Sequence, residues 1–525
     1  MSDDPRPDSQ KSRQDLLDEI YYLRDVAGER EQQVLKYKAD LEARDGEVAS
    51  LRKQLALLLN SRSWRFTAPL RWMSRTAASG PHPAVAKPVS GATGGLNKPS
   101  GDRAASTSAL SSGAVGPEDR SDGKPRLYVD VTELVLRQGR TGVQRVTCEI
   151  LRALLREPPY DYRVQPVFAS VGQHYRRVSP STIRSLAAPG RSLGENDAVI
   201  DDGDAASTKD LRPESGDVFL GLDHAMDAVI SNASQIAAMR DQGARIWFVC
   251  NDVLPLVHPE WFPSEITPKF KTWIETIARV ADGIACISAT TESELRRQLE
   301  QRGASGSKAP ELGHFHLGAD ALPSGVCDDA DVSPDESAVM ERLRTMTSFL
   351  VVGTLEPRKG HAQALQAFEK LWAEGADIAL VIAGFPGWMT EVLQRRIRHH
   401  DEFGKRLFWF RDASDALLRR LYESCTALLA PSFGEGFGLP LLEAARHNLP
   451  ILCRDLPVFR EVAGEHAVYF SGSDPASLTG AIRSWLDARR HGAIPASGQL
   501  AWLGWRESAG QMAALVLGNQ SGRTQ

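Results

Sequence analysis

The chain has 525 residues, 42% of them hydrophobic and 25% charged, with a net charge of −5. At roughly 150 residues per domain this amounts to about three units, and so ordinary a composition excludes a wholly disordered chain, a collagen or a small disulfide scaffold. The mild acidity argues against a chain-wide nucleic-acid surface, though not against a local basic patch.

Six cysteines are scattered without a C-x-x-C pair, so zinc-ribbon and thioredoxin readings fail on spacing. Several lie in apolar runs, as in "FVCND" and "GIACIS". There cysteine acts as a small hydrophobe, and the expected compartment is reducing and cytoplasmic. The opening "MSDDPRPDSQ" is acidic and polar, unlike a secretory signal. No run reaches the roughly 18 apolar residues of a membrane span, so any membrane contact is expected to be peripheral.

The first segment reads as a coiled coil. Steps of four and three from Leu16 to Leu58 meet apolar residues at every position except Arg30 and Arg44, a sustained 3.5 period. Such a seam predicts a homo-oligomer or a partner coil through residues 16–58, with a lone solvated helix as the alternative. In "SRSWRFTAPLRWMSR", residues 61–75, aromatics alternate with arginines and acids are missing. That suits an anionic membrane surface and equally suits docking on the globular body. Residues 76–124 are rich in Ser, Gly, Ala and Pro without an apolar face, which predicts a disordered linker.

From Arg126 onward, strand-like runs alternate with amphipathic helices. "RLYVDVT", "YRVQPVFAS", "GDVFLGLD", "ARIWFVCND" and "DGIACIS" are the strands of a first α/β domain over 125–335. "SFLVVG", "IALVIAG", "RLFWF", "TALLAPS" and "PILCR" are those of a second over 336–525, which also takes the C-terminal helices. Each strand is followed by a helical stretch, the pattern of a parallel, doubly wound sheet. Two such domains in tandem place a cleft at their strand ends, where ligands usually bind.

Two strand-end loops carry candidate chemistry. In "GTLEPRKG", residues 353–360, Arg358 and Lys359 set a fork and a point charge side by side, suited to a diphosphate; a solvated turn is the alternative. The spacing is not that of a Walker loop. In "PSFGEGFGLPLLEAARHNLP", residues 431–450, Glu435 lies in a glycine-rich turn and Glu443 lies eight positions on, in the helix which that turn opens. Amides at Gly436, Phe437 and Gly438 approach the helix N-terminus, where an anion is favoured. The two carboxylates could hold polyol hydroxyls, or could be a surface pair.

The Glu435/Glu443 spacing in "GEGFGLPLLEA", together with "GTLEPRKG" and "CRDLPVFREVAGEHAVYF", resembles a retaining glycosyltransferase of the GT4 family. "TGVQRVTCEILRAL", "NDVLPLVHPEWF" and "HLGAD" are similar to its bacterial mannosyltransferase-like members of O-antigen and exopolysaccharide type. The resemblance covers about residues 126–510. It implies a GT-B fold, two Rossmann-like domains facing a cleft, here preceded by a coiled coil and a disordered linker. It implies a metal-independent hexosyltransferase with no cofactor beyond a GDP- or UDP-linked sugar, acting on a glycan or lipid-linked acceptor. Arg358 and Lys359 would then neutralise the donor diphosphate and Glu443 would bind the ribose. Glu435 would hold the transferred sugar, aided by amides at Phe437 and Gly438. Gly142 would open a helix whose dipole faces the phosphate from the other side.

The first domain departs from that family's pattern. "FVCND" ends in Asn251 and Asp252 where relatives carry a histidine. Asp252 either binds a hydroxyl or caps the following turn. His258 is the nearest candidate histidine, with loop packing as its alternative. His314 and His316 are expected to have no acidic or cysteine partner nearby, and the "DDGD" at 201–204 lies in a polar stretch, so no metal site is expected. The loop Phe410–Asp412 would lie near the nucleobase. The rival expectations are a scaffold or sensor built on an inactive body, and a phosphorylase or epimerase of the same fold.

Overall fold

The structure is a computed structural model that describes residues 123–136, 142–159, 161–187, 211–303, 309–320 and 333–518. The expected coil and the aromatic-basic segment, the linker up to residue 122, the 201–204 stretch and Cys327 lie outside the described residues.

Two sheets organise the chain. The first joins β1 (Arg126–Asp130), β2 (Arg163–Phe168), β3 (Arg176–Arg177), β4 (Val218–Gly221), β5 (Arg245–Cys250), β6 (Gly283–Cys286) and β7 (Glu311–His314) in the order β3-β2-β1-β4-β5-β6-β7. Only β3 runs antiparallel to its neighbour. The second joins β8 (Thr347–Val352), β9 (Ile378–Ala383), β10 (Leu407–Phe410), β11 (Ala427–Ala430), β12 (Ile451–Arg454) and β13 (Val468–Phe470), all parallel, in the order β10-β9-β8-β11-β12-β13. Every residue of β1 and of β9 is buried, because helices cover both faces of a parallel sheet. This is why these strands read as continuous apolar runs rather than alternating ones.

Strand order reverses between β1 and β4 in the first sheet and between β8 and β11 in the second. At such a reversal successive helices leave to opposite faces and open a crevice beyond the strand C-termini. The loop 353–360 follows β8, and the loop 431–438 follows β11. The two candidate loops therefore flank one crevice. Amphipathic helices close the layers: the helix Ile266–Val280 buries Phe270, Trp273, Ile274, Ile277 and Val280 under the first sheet.

The last helix, Trp505–Leu517, follows the second sheet in sequence but packs on the first lobe, against the helix Gly142–Arg156 and against β6 and β7. Its C-terminal carbonyl, that of Leu517, accepts from Arg245 at 3.1 Å. The second lobe, expected over 336–525, thus hands its final helix back. The reason is apolar complementarity: Met512, Ala513, Val516 and Leu517 are buried there, and a bulkier residue than Gly313 of β7 would strike Leu515. Among the described residues no helix is long and apolar enough to cross a membrane.

Candidate active site

The two loops are pressed together before any side chain is considered. Gly360 has φ 71°, and a Cβ there would fall 2.3 Å from the Pro431 carbonyl oxygen, so the position admits glycine alone. The amide of Phe433 donates to the Arg358 carbonyl at 2.7 Å. Beneath them the buried Arg454 of β12 donates to the Pro431 and Ser432 carbonyls and lies 4.1 Å from the Phe433 ring centre.

On this base Glu435 meets both expected cations. Its carboxylate accepts from Lys359 Nζ at 2.7 Å, Arg358 Nη1 at 3.0 Å and Ser432 Oγ at 2.7 Å. Burial alone would raise the acid, but Lys359 and Arg358 outweigh it and hold the carboxyl at about 2. Arg358 also binds Glu356 at 2.9 Å and the Gly434 carbonyl at 3.2 Å. Glu435 is therefore ionised at neutral pH, whereas burial raises the neighbouring Glu356. Beside it, no group among the described residues accepts a hydrogen bond from the amides of Gly436, Phe437 or Gly438. Gly438 is the N-cap of the helix Leu439–Arg446, so these donors lie where partial positive charge collects. The Phe437 side chain itself is core, its ring centre 5.5 Å from that of His316.

Glu443 lies in that helix and is buried. Tyr422 donates to its Oε2 at 2.6 Å, and Arg145 of the first lobe donates to its Oε1. Gly142 opens the helix Gly142–Arg156, as expected, and Arg145 projects from the first turn of that helix. Sequence reasoning missed this arginine. Its signal was present: a cation in a helix's first turn opposes the dipole and asks for an external anion.

The first lobe closes on the same loop. A Cβ at Gly436 would fall 1.9 Å from the Asn251 carbonyl oxygen and 3.1 Å from Asp252 Cβ. The Gly436 carbonyl accepts from Ser288 at 2.7 Å and Thr291 at 3.1 Å. Asp252 Oδ1 takes the Leu254 amide at 3.0 Å, so it does cap the turn, while its other oxygen stays without a donor among the described residues. His258 is spent locally. It stacks on Trp261 at 3.9 Å and bonds Glu260 at 3.0 Å.

The two later histidines require a correction, since each does have an acidic partner. His314 Nδ1 lies 2.7 Å from Glu292, and His316 Nε2 lies 2.9 Å from Glu461. Folding supplies both partners from helices remote in sequence. Glu461 also accepts from the amides of Ala289 and Thr290 at 2.7 and 2.9 Å, crossing between lobes. Burial opposes its charge, yet His316 and these donors hold it at about 2. Among the described residues no cluster of three acids, histidines or cysteines could hold a metal ion.

Residues 340–495 match the family described as glycosyl transferases group 1. The second lobe is a group 1 glycosyl transferase domain. Its loops are those that gather Arg358, Lys359, Glu435 and Glu443. The chain is 38% identical over 390 residues to the serotype-specific mannosyltransferase WbdA of Escherichia coli, across 73% of the chain and 45% of that protein. It therefore spans less than half the length of this relative. It is also 31% identical over 163 residues to O-antigen chain mannosyltransferase B of Escherichia coli, across 29% of the chain and 42% of the relative. Among solved structures, sucrose-phosphate synthase from Thermosynechococcus elongatus aligns with TM-score 0.51 at 16% identity, over 75% of this chain and 98% of that one. The fold is GT-B, with the group 1 domain as its second lobe.

Proposed function

We propose that the chain is a retaining mannosyltransferase that moves a hexose from a nucleoside diphosphate donor to a growing surface glycan, carried on a lipid. The observation that carries this reading is Glu435 held ionised between Arg358 and Lys359 beside free amides at a helix N-terminus. In this reading the two cations turn toward a diphosphate and the carboxylate takes sugar hydroxyls. That the relatives are mannosyltransferases supports mannose as the sugar.

In this reading the bond from the anomeric carbon to the β-phosphate oxygen breaks as the acceptor oxygen bonds the same carbon on the same face. The acceptor proton passes to the departing phosphate. Positive charge develops on the sugar, facing Glu435, and negative charge on the phosphate, facing Arg358, Lys359 and the Gly438 helix end. Each charge thus meets a fixed complement, and no enzyme nucleophile is needed. The ribose diol goes to Glu443, where it takes the place of Arg145. Transfer takes place on the cytoplasmic side, with the chain at most peripheral to the membrane.

The test is a thermal-shift panel of GDP, UDP, ADP and dTDP on the wild type and on Glu443→Ala. A ligand that binds only the folded chain raises the melting point. A shift with one nucleotide, lost in the variant, is expected. No shift with any of them refutes the donor site.

A further inference from the structure

We propose that His224, together with Asp252, clamps one hydroxyl of the acceptor glycan; the inference rests on the transferase reading above. His224 follows β4 in the chain and Asp252 follows β5, its neighbour in the sheet. His224 thus stands where strand order reverses in the first sheet, the counterpart of the place that Glu435 holds after β11 in the second. Crevices of this kind take ligands, yet the site built so far uses only the one in the second lobe.

The imidazole is fixed and unspent. Its ring meets Trp273 edge-on at 4.7 Å and Phe270 at 5.7 Å, two aromatics that are themselves buried. Its backbone amide donates to Asp223 at 2.9 Å. Nδ1 is closed off from solvent and has no partner. Nε2 is not closed off, and it too makes no bond among the described residues. Nε2 is therefore the nitrogen that a ligand can reach, on a ring whose position its aromatic neighbours fix. Burial keeps the ring neutral, and Asp252 is the charge that acts on it most strongly, with Lys269 opposing.

The chemistry selects the ligand. A neutral imidazole with its proton on Nε2 donates one hydrogen bond outward, and the vacant Asp252 oxygen accepts one. An alcohol is both donor and acceptor and satisfies the pair at once. A phosphate is repelled by Asp252, so the clamp suits a neutral polyol and rejects the donor's diphosphate. Asp252 abuts Gly436 and is felt by Arg358, so the held hydroxyl belongs to a sugar lying against the donor loop. Fixing that sugar orients the attacking oxygen.

The experiment measures transfer from GDP-mannose to methyl α-mannobioside by the full chain, with nucleotide-induced thermal shift as the check on folding and donor binding. His224→Ala is expected to raise the acceptor KM about tenfold and to leave the nucleotide shift unchanged. His224→Gln, which keeps an N–H donor, is expected to recover part of the loss. Asp252→Asn added to His224→Ala is expected to cost little more than either alone, as for partners in one contact. An acceptor KM for His224→Ala within about twofold of wild type, or an equal loss of nucleotide shift, overturns the clamp while leaving the transferase reading intact. A wild-type chain that transfers nothing to the mannobioside overturns the acceptor reading and this inference together.

Discussion

Glu435 combines two properties that seldom coexist, burial and permanent charge. Replacing it with glutamine keeps the shape and the Ser432 contact but leaves Arg358 and Lys359 facing a neutral amide. Glu435→Gln is expected to lower kcat by about a hundredfold or more, with nucleotide binding retained, in a transfer assay against wild type. Other acids oppose it in the pH response. Burial pushes Asp130 up to about 6, and burial with the Asp130 charge pushes Asp223 up to about 7, from an ordinary 3.8. A raised acid contributes stability that is present below its ordinary value and is lost as pH rises through the folded value. The depressed pair Glu435 and Glu461 contribute stability that is present above 4.5 and lost as pH falls toward 2. The raised acids favour the fold as pH falls from about 7 toward 4, whereas His361, held by burial at about 3, opposes them over the same range. Asp223→Asn is expected to gain in melting point on wild type as pH rises from about 4 to about 7; a difference that does not change with pH means that Asp223 does not contribute. Part of this scale was legible: the glycines framing Glu435 and the adjacent Arg358-Lys359 pair marked two candidate loops with alternatives open, and the resemblance to GT4 enzymes singled them out. Tyr422 was not, and Arg145 only as a cation in want of an anion, because nothing in "GVQR" or "RLYES" names the carboxylate they meet across the fold.

At the scale of elements, the helix Ala289–Gln301 shows where local sequence stops informing. Its own N-cap, Ser288, accepts from the Thr291 amide, and such a cap can be read from the chain. Its second cap, Glu461, comes from the helix Pro457–Ala463 of the other lobe and satisfies two further amides. Glu461→Ala removes a cap, an interlobe tie and the partner of His316. A loss of about 1–2 kcal/mol is expected, measured by urea unfolding. Arg145 is a tie of the opposite sign for the ligand. It holds the Glu443 oxygen proposed for the ribose, with its side chain 40% exposed. Arg145→Ala is expected to tighten nucleoside diphosphate binding by about 1 kcal/mol, roughly fivefold, in isothermal titration. Weaker binding in that variant would show that the arginine serves the donor instead of competing with it.

For the whole molecule, the two-lobe architecture was legible because each buried parallel strand is a compact apolar run between turn residues. The path of the final helix was not legible, since its apolar face fits either lobe as far as periodicity can tell. Truncation after Gly504 is expected to expose the helix Gly142–Arg156 and to make the first lobe sensitive to proteolysis, while the second lobe stays resistant. Equal resistance of both lobes would assign the helix a marginal role. The proposed enzyme resides in residues 123–518, so deleting residues 1–75 is expected to leave transfer to a soluble mannoside intact.

The returning helix also means that the backbone passes between the lobes twice, and the two passages touch. Gly318 pairs with Leu503 in a parallel bridge, and the amide of Ala319 donates to the Leu503 carbonyl at 2.9 Å. A Cβ at Gly318 would meet Trp505 backbone at 2.5 Å, so nothing separates the straps. The two crossings are thus pinned to each other beside the first sheet, and any side chain placed at Gly318 would be felt on both strands of chain at once.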